Sequence, residues 1–221
     1  MNIDDVEKTE MPASPIFVAI FDRQRELAKK YHTIEEKNGF YYPPSPRPVI
    51  DDAQFQHWIK GMFWRVHEEI AEALEQIPDL RGWKSKWGQD SVVRHFFEEL
   101  SDALHFLAEV SIVVGLEPLA VQMGWDKIPE LTNRPLLDPA FIIQGAARVT
   151  FTMGLAANTL KNKPWKTTQM PTDENEFREK LLKTWELFIL FFKLLQCSAE
   201  DVWQLYHKKN MVNQFRQETR Y

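Results

Sequence analysis

The chain has 221 residues, of which 44% are hydrophobic and 13% aromatic, so it has ample material for a core and is not intrinsically disordered. Its formal net charge of −5 argues against a general binder of nucleic acid polymers or membrane surfaces, because such proteins are usually basic. Small molecules or proteins are the favoured partners.

Cysteine usage and the N-terminal sequence indicate the compartment. The single cysteine, Cys197, excludes an intrachain disulfide and favours a reducing cytoplasm. It follows an apolar run, so we expect it to pack rather than to act as a catalytic thiol. The acidic N-terminus is unlike a secretion signal, and no stretch reaches the roughly 18 apolar residues of a membrane span. Neither secretion nor membrane insertion is expected.

The N-terminal part predicts an arm followed by a helix. Residues 1–14 are polar and contain a proline, with another directly after them, and we expect a loose arm. Residues 16–31 have an amphipathic pattern that predicts a helix, with Gln24 close to its inner face. From that position Gln24 could reach a ligand, or it could be an ordinary surface glutamine.

A proline-rich connector at 41–48 separates this helix from a long second one. Asp52, with Asp51 before it, is a candidate cap for a helix that continues to about Ile77. The loop after it contains two tryptophans and two lysines within 83–87. These side chains either grip a base or a phosphate, or anchor the loop on the core.

Ser91 is the candidate cap of a third helix, whose apolar pattern continues through His105 to Gly115. Residues 117–139 contain several prolines and a glycine, which predict short turns there.

Three further helices are expected, at 141–160, 173–196 and 199–210, after which residues 214–221 trail off. The most apolar run of the chain, 188–195, indicates either core packing or a subunit interface.

The chain shows no strand alternation, no internal repeat and no glycine-rich phosphate loop. We therefore predict an all-α helical bundle. It should form a single domain over 1–221, with 116–172 as an insert-like segment of helices and loops.

Two pairs of acidic residues lie on consecutive predicted helices. Glu69 and Glu72 are three residues apart, and Glu99 and Asp102 repeat this spacing. Residues three apart lie roughly 60° apart around a helix, so each helix presents a carboxylate pair on one face. Aromatic and aliphatic residues surround both pairs, so we expect the acids to face a partly buried cleft.

Carboxylates crowded into such a cleft repel one another and need a cation. Oxygen ligands without supporting cysteine or histidine select Mg²⁺ or Mn²⁺ over zinc, and Mg²⁺ often completes its coordination with substrate phosphates. A metal-dependent phosphate chemistry is therefore one hypothesis. The alternative is that these acids are solvated helix faces of a catalytically silent interaction module.

The C-terminal tail is basic in an otherwise acidic chain, with Lys208, Lys209, Arg216 and Arg220. Arginine forks and lysine point charges suit phosphate oxygens, so the tail can supply cations to an acidic metal site. A frayed basic terminus is the alternative.

Together these motifs resemble a known family. Glu69-x-x-Glu72 followed by Glu99-x-x-Asp102 resembles the all-α nucleoside triphosphate pyrophosphatase superfamily. The ending from Tyr206 to 221 is similar to that of the dimeric dUTPases within it. With the Trp-Lys-x-Lys-Trp loop, the chain also looks like the phage dCTP/dUTP pyrophosphatases.

The resemblance implies hydrolysis of dUTP, or a close relative, to the monophosphate and pyrophosphate by attack of water on the α phosphorus, in a homodimer. It implies that Glu69, Glu72, Glu99 and Asp102 hold Mg²⁺ ions, with Mn²⁺ as a possible substitute. Glu69 and Glu72 are the candidates for the catalytic base.

The resemblance also implies the residues that contact the substrate. The implied phosphate-binding residues are Lys209, Asn213, Arg216 and Tyr221. The implied base and sugar contacts are His105, Phe106, Asn158 and Gln24.

Two departures from the family pattern leave the base preference open. Arg220 stands where the family has glycine, and Leu27 stands where the family has an asparagine three residues after Gln24. A dCTP/dUTP or broader dNTP pyrophosphatase is therefore the second enzyme hypothesis.

Overall fold

The structure is a computed structural model in which residues 1–77, 89–130, 138–163, 165–168 and 170–219 are described. Within these ranges the chain forms seven α-helices and no strand, so the all-α prediction is confirmed. A 3₁₀ turn at Ile3–Asp5 comes first. The helices are α1 (Ile16–Lys37), α2 (Ala53–Leu74), α3 (Asp90–Val113), α4 (Pro118–Lys127), α5 (Pro139–Thr159), α6 (Glu174–Leu194) and α7 (Ala199–Thr219).

The two helices that carry the acidic pairs begin differently. The Asp52 carboxylate accepts a hydrogen bond from the backbone N–H of Phe55 at 2.7 Å, which confirms the predicted cap of α2. The prediction that Ser91 caps α3 is wrong, because α3 starts at Asp90 after Gln89 and Ser91 lies inside its first turn. Ser91 therefore has no capping role.

The prediction of short turns over 117–139 is wrong at its N-terminal half, where α4 forms. Pro118 occupies the first turn of α4, a position at which proline's fixed φ favours the helix and its missing N–H costs nothing. Gly124 lies where an added Cβ would be 3.5 Å from the Cδ1 of Ile189. Pro118 therefore starts the helix, and Gly124 allows it to pack closely on α6, although both residues suggested a break in the sequence.

The last helix is longer than predicted. α7 continues past Asn210 to Thr219, so the tail does not trail off within the described residues. No apolar stripe marks these last turns. They are held by polar contacts from α1, where the Nζ of Lys30 lies 2.8 Å from a Glu218 carboxylate oxygen and 3.4 Å from the Gln214 side-chain oxygen. Polar tertiary contacts of this kind leave no periodic signal in the sequence.

One apolar cluster extends from α1 to α7. The most extensive helix-to-helix packing within it is between α2 and α3 and between α5 and α6. Most of the apolar run 188–195 is buried within this chain, so it packs mainly in the core, and a subunit interface there stays a prediction. An added Cβ at Gly145 would lie 2.5 Å from Phe191, so glycine allows α5 to approach α6 closely. The buried Cys197 packs in the core, as expected.

Segment 116–172 packs on the rest of the chain. Its helix α4 contacts α1 and α6, and its helix α5 contacts α2 and α6. This packing supports a single domain, which stays a prediction. Helix α5 is long and apolar enough to cross a membrane, but such a helix is weak evidence for a span, since core helices of soluble proteins share the same composition.

The prediction of a loose arm over residues 1–14 is wrong for residues 1–10, which we call the N-terminal arm. The backbone N–H of Thr9 donates to the side-chain oxygen of Gln204 at 3.1 Å, and the indole N–H of Trp203 donates to the Glu10 carbonyl at 3.0 Å. An ion pair between Asp4 and Arg94 on α3 holds its other end. The arm therefore lies along α3 and α7.

Candidate active site

Three of the four predicted metal ligands meet between α2 and α3. Glu69, Glu99 and Asp102 each place an oxygen within 4.8 Å of the others, and we call these three residues the acidic cluster. Glu69 and Glu99 each lie three residues after one buried apolar residue and four before another, so packing of the helices turns both inward. Those neighbours are Val66 and Ala73 on α2, and Phe96 and Ala103 on α3.

Glu72, the fourth predicted ligand, is exposed and lies outside the acidic cluster. It is nevertheless close enough for its charge to raise the pKa values of Glu69 and Glu99. Glu72 therefore lies at the solvent side of the acidic cluster.

The acidic cluster is electrostatically strained when it holds no divalent ion. Burial, followed by the charges of Asp102 and Glu99, raises the pKa of Glu69 to about 8. Burial also raises the pKa of Glu99. At neutral pH, the acidic cluster therefore retains a proton unless another cation replaces it.

Lys209 on α7 supplies part of the missing positive charge. Its buried Nζ lies 2.7 Å from both a Glu98 oxygen and an Asp102 oxygen. Burial alone lowers the pKa of Lys209, but attraction to Asp102 and Glu98 outweighs it, so the pKa is raised. Lys209 was predicted to bind phosphate, and here it neutralises carboxylates beside the predicted metal site.

His95 makes a second contact that the sequence reasoning missed. Its Nδ1 lies 3.1 Å from an oxygen of Glu99, one turn further along α3. The charge of His95 lowers the pKa of Glu99, against the larger effect of burial. The four-residue spacing from a predicted ligand was the signal that could have identified His95.

The donor set fits a hard divalent cation. The acidic cluster offers oxygen ligands only, which suits Mg²⁺ or Mn²⁺. The raised pKa of Glu69 and the ammonium of Lys209 against Asp102 both show that the site needs positive charge. Glu69, Glu99 and Asp102 would therefore hold the ion, with Glu72 beside them.

The other predicted phosphate-binding residues follow Lys209 along α7. Asn213 and Arg216 come four and seven residues after Lys209, so all three lie on one helix face. Arg216 is exposed and lines a cavity of about 240 Å³ with His95 and other residues. Tyr221 lies outside the described residues, as do Arg220 and the 83–87 loop.

His105 and Phe106 lie on α3 directly after the acidic cluster. Burial lowers the pKa of His105, so its ring is neutral. Its Nδ1 lies 2.7 Å from the Ser101 carbonyl oxygen, which can only accept, so the proton is on Nδ1. The other ring nitrogen, Nε2, is a buried acceptor without a hydrogen-bond partner among the described residues. Phe106 is covered by the guanidinium of Arg65 at 5.6 Å.

Gln24 belongs to a buried polar network behind His105. Its amide N–H donates to Glu109 at 3.1 Å, and its amide oxygen accepts from the Tyr206 hydroxyl at 3.0 Å. Tyr206 in turn stacks on the ring of His105, with centroids 4.2 Å apart. Both ends of the Gln24 amide are therefore engaged. Asn158 is exposed near the end of α5, and its predicted contact with the base stays a prediction.

Glu109 is a buried acid that the sequence reasoning did not select. Burial, together with the nearby charge of Glu35, raises its pKa to about 7 from 4.5. Between these pH values the folded state binds a proton that the unfolded state has lost, so stability falls as the pH rises from about 4.5 to about 7.

Glu109→Gln should remove this penalty. We expect the variant to exceed the wild type in free energy of unfolding by about 2 kcal/mol at pH 8, and the difference to disappear near pH 4, below the unfolded pKa. Denaturant unfolding at both pH values measures it. The matched control is Glu26→Gln, at an exposed position of α1. A Glu109→Gln variant less stable than the wild type at pH 8 would contradict the expectation.

Comparison with protein-family models matches residues 16–221 to the family described as dUTPase. No curated protein and no solved structure matched the chain. The matched range contains the acidic cluster and Lys209, and it begins after the N-terminal arm.

Proposed function

Because the chain belongs to the all-α dUTPase family, we propose that it hydrolyses dUTP to dUMP and pyrophosphate with Mg²⁺ held between α2 and α3. Family membership indicates a dUTP diphosphatase, and dUTPases generally use a divalent metal. The choice of Mg²⁺, the residue roles and the order of steps are the proposal. The observation that carries it is the acidic cluster, with oxygens within 4.8 Å of one another.

Glu69, Glu99 and Asp102 would hold Mg²⁺, with Glu72 as a further ligand. When bound there, the ion would neutralise charge on the phosphate oxygens. Water attacks the α phosphorus, the bond to the bridging oxygen breaks, and pyrophosphate leaves. Glu69 and Glu72 are the candidates that take the proton of this water. The exposure of Glu72 favours it, since from there the proton can pass directly to solvent.

Lys209 has a second role in this proposal. Its ammonium is held by Glu98 and Asp102, and its attraction to Asp102 weakens once a divalent ion neutralises that carboxylate. While still paired with Glu98, Lys209 can then donate to a phosphate oxygen, alongside Asn213 and Arg216 on the same face of α7. Tyr221 completes the proposed phosphate-binding set.

The His105 ring provides a physical basis for base choice. Its Nε2 is a buried acceptor without a hydrogen-bond partner among the described residues, so a base that enters beside it must supply a donor. Uracil has an N–H at ring position 3, whereas cytosine has a lone pair there that would face another lone pair. Phe106 and Asn158 are the other proposed contacts to the base or sugar, whereas the predicted contact of Gln24 is not kept, because both ends of its buried amide are engaged. We therefore place dUTP ahead of dCTP.

A panel of dNTPs tests this function. With Mg²⁺ we expect pyrophosphate release from dUTP at a kcat/KM roughly 10- to 100-fold above that for dCTP, the effect of one lost hydrogen bond and one unpaired acceptor. A chelator should abolish turnover. Equal rates on all dNTPs would refute the base assignment. Absence of turnover on every dNTP would favour the silent interaction module.

We also propose a cytoplasmic homodimer. Exposed residues with an apolar character form a stripe along α5, on the side away from α6. They are Ala147, Phe151, Gly154 and Leu155, of which Phe151 is 67% exposed. A second copy could cover this stripe. Asn158 continues the same face, where a partner subunit would lie nearby. The free thiol of Cys197 supports a reducing compartment.

A further inference from the structure

The N-terminal arm lies outside the range that matches the family, yet it reaches the edge of the site. Its two ends are held differently. Thr9 and Glu10 are attached to α7 by hydrogen bonds that use backbone groups. At the other end, the Asp4 carboxylate pairs with Arg94 near the start of α3.

The Asp4 end of the arm closes one side of the cavity of about 240 Å³ that Arg216 lines. Asp4, Arg94, His95 and Glu98 also line it. The cavity adjoins the acidic cluster, because His95 contacts Glu99 at 3.1 Å and Glu98 contacts Lys209, which also pairs with Asp102. A triphosphate whose inner phosphate lies at the acidic cluster therefore has this cavity within its reach.

The charges of the cavity favour an anion. The Nζ of Lys209 lies 2.7 Å from a Glu98 oxygen, which reduces the repulsion between Glu98 and an anion in the cavity. Arg94 is paired with Asp4, and Arg216 makes no ion pair within the described part of the chain. Two guanidinium groups in one cavity suit phosphate oxygens, because each can donate two parallel hydrogen bonds. In this structure the Asp4 carboxylate is the anion that pairs with one of these two groups, the guanidinium of Arg94.

We propose that this cavity binds a pyrophosphate group, either as the outer phosphates of the substrate or as the released product, and that Asp4 competes with it for Arg94. The inference rests on the proposed function for its ligand class. The Asp4 carboxylate then serves as an internal substitute for phosphate in the free enzyme. Binding of pyrophosphate displaces the first residues of the arm, while Thr9 and Glu10 stay attached.

The Asp4 contact is weak enough to be displaced. The side chains of Arg94 and Asp4 are 51% and 58% exposed. Exposed ion pairs change an equilibrium constant by about fivefold at most. A pyrophosphate group offers more negative charge and more acceptor oxygens than one carboxylate, so it outcompetes Asp4 at Arg94.

Calorimetric titration with inorganic pyrophosphate in Mg²⁺ buffer tests the competition. We expect Asp4→Asn to bind pyrophosphate about two- to fivefold more tightly than the wild type, and Arg94→Gln about tenfold more weakly. The double variant should bind pyrophosphate with the same affinity as Arg94→Gln alone, because Asp4 acts only through its contact with Arg94. Glu7→Gln, at an exposed position of the same arm, controls for the change in net charge.

The outcomes separate this inference from the proposed function when dUTP turnover is measured on the same samples. Turnover of dUTP with equal pyrophosphate affinities in the wild type, Asp4→Asn and Arg94→Gln would overturn the inference and leave the function intact. An equal gain from Glu7→Gln and Asp4→Asn would also overturn it. If the variants show the expected pyrophosphate affinities but the protein does not hydrolyse dUTP, the result would support pyrophosphate binding in the cavity and refute the proposed function.

Discussion

Replacing Glu69 by glutamine should remove activity and at the same time stabilise the protein in the absence of metal. Glu69 lies within the acidic cluster, where its neutral form is favoured by burial and by two neighbouring carboxylates. A glutamine keeps the shape, removes one repelling charge and offers Mg²⁺ a weaker ligand. Function and stability therefore make opposite demands at this position.

We expect kcat for dUTP to fall roughly 10³-fold in Glu69→Gln, since a ligand and a candidate base are lost together. In a chelator at pH 8, the free energy of unfolding should rise by about 1 kcal/mol, a value discounted for the partial exposure of the side chain. Steady-state kinetics and denaturant unfolding measure the two effects.

Glu68→Gln is the matched control, because Glu68 is the adjacent residue and is exposed, with its carboxylate accepting from the Trp64 indole. It should change turnover little. A Glu68→Gln variant as inactive as Glu69→Gln would refute the assignment of Glu69. So would retained turnover in Glu69→Gln.

Replacing Lys209 by methionine should have the opposite effect on the metal-free protein. Lys209 is 4% exposed and neutralises Glu98 and Asp102, so its loss leaves carboxylates uncompensated in a confined site. Breaking a buried pair in this way costs about 3 kcal/mol. For a chain of this size, that lowers Tm by roughly 6–12 °C.

Thermal unfolding of Lys209→Met with a chelator and with Mg²⁺ measures both parts of the expectation. Adding Mg²⁺ should raise the Tm of the variant by more than it raises the Tm of the wild type, because the ion supplies the positive charge that Lys209 supplied. Lys208→Met, one residue earlier and on another face of α7, should change stability by less than about 0.5 kcal/mol. Equal melting of Lys209→Met and wild type in the chelator would contradict the electrostatic role of Lys209.

The sequence predicted the acidic helices because local spacing determines which residues share a helix face. Glu69 with Glu72, and Glu99 with Asp102, needed only the helical repeat. The helical repeat alone could not predict that Glu72 lies outside the acidic cluster. The tilt and rotation of two packed helices depend on the apolar side chains between them and not on the spacing of the acids.

The role of Lys209 was not predictable from the sequence in the same way. Its two partners lie on α3, more than a hundred positions earlier, and no periodic signal connects α3 with α7. The basic composition of the tail suggested phosphate binding, but tertiary packing brought Lys209 to carboxylates. Pro118 shows a related limit, because a proline can begin a helix as readily as it can end one.

The long separation in sequence between Lys209 on α7 and its partners on α3 also has a consequence for biosynthesis. Translation proceeds from the N-terminus, so the ribosome makes α3 roughly 100 residues, on the order of 5–20 s, before it makes the lysine that pairs with Asp102. During that interval the nascent acids lack their internal partner. A chain truncated before α7 would keep its carboxylates and lose their lysine, so the centre is intact only once α7 has been made.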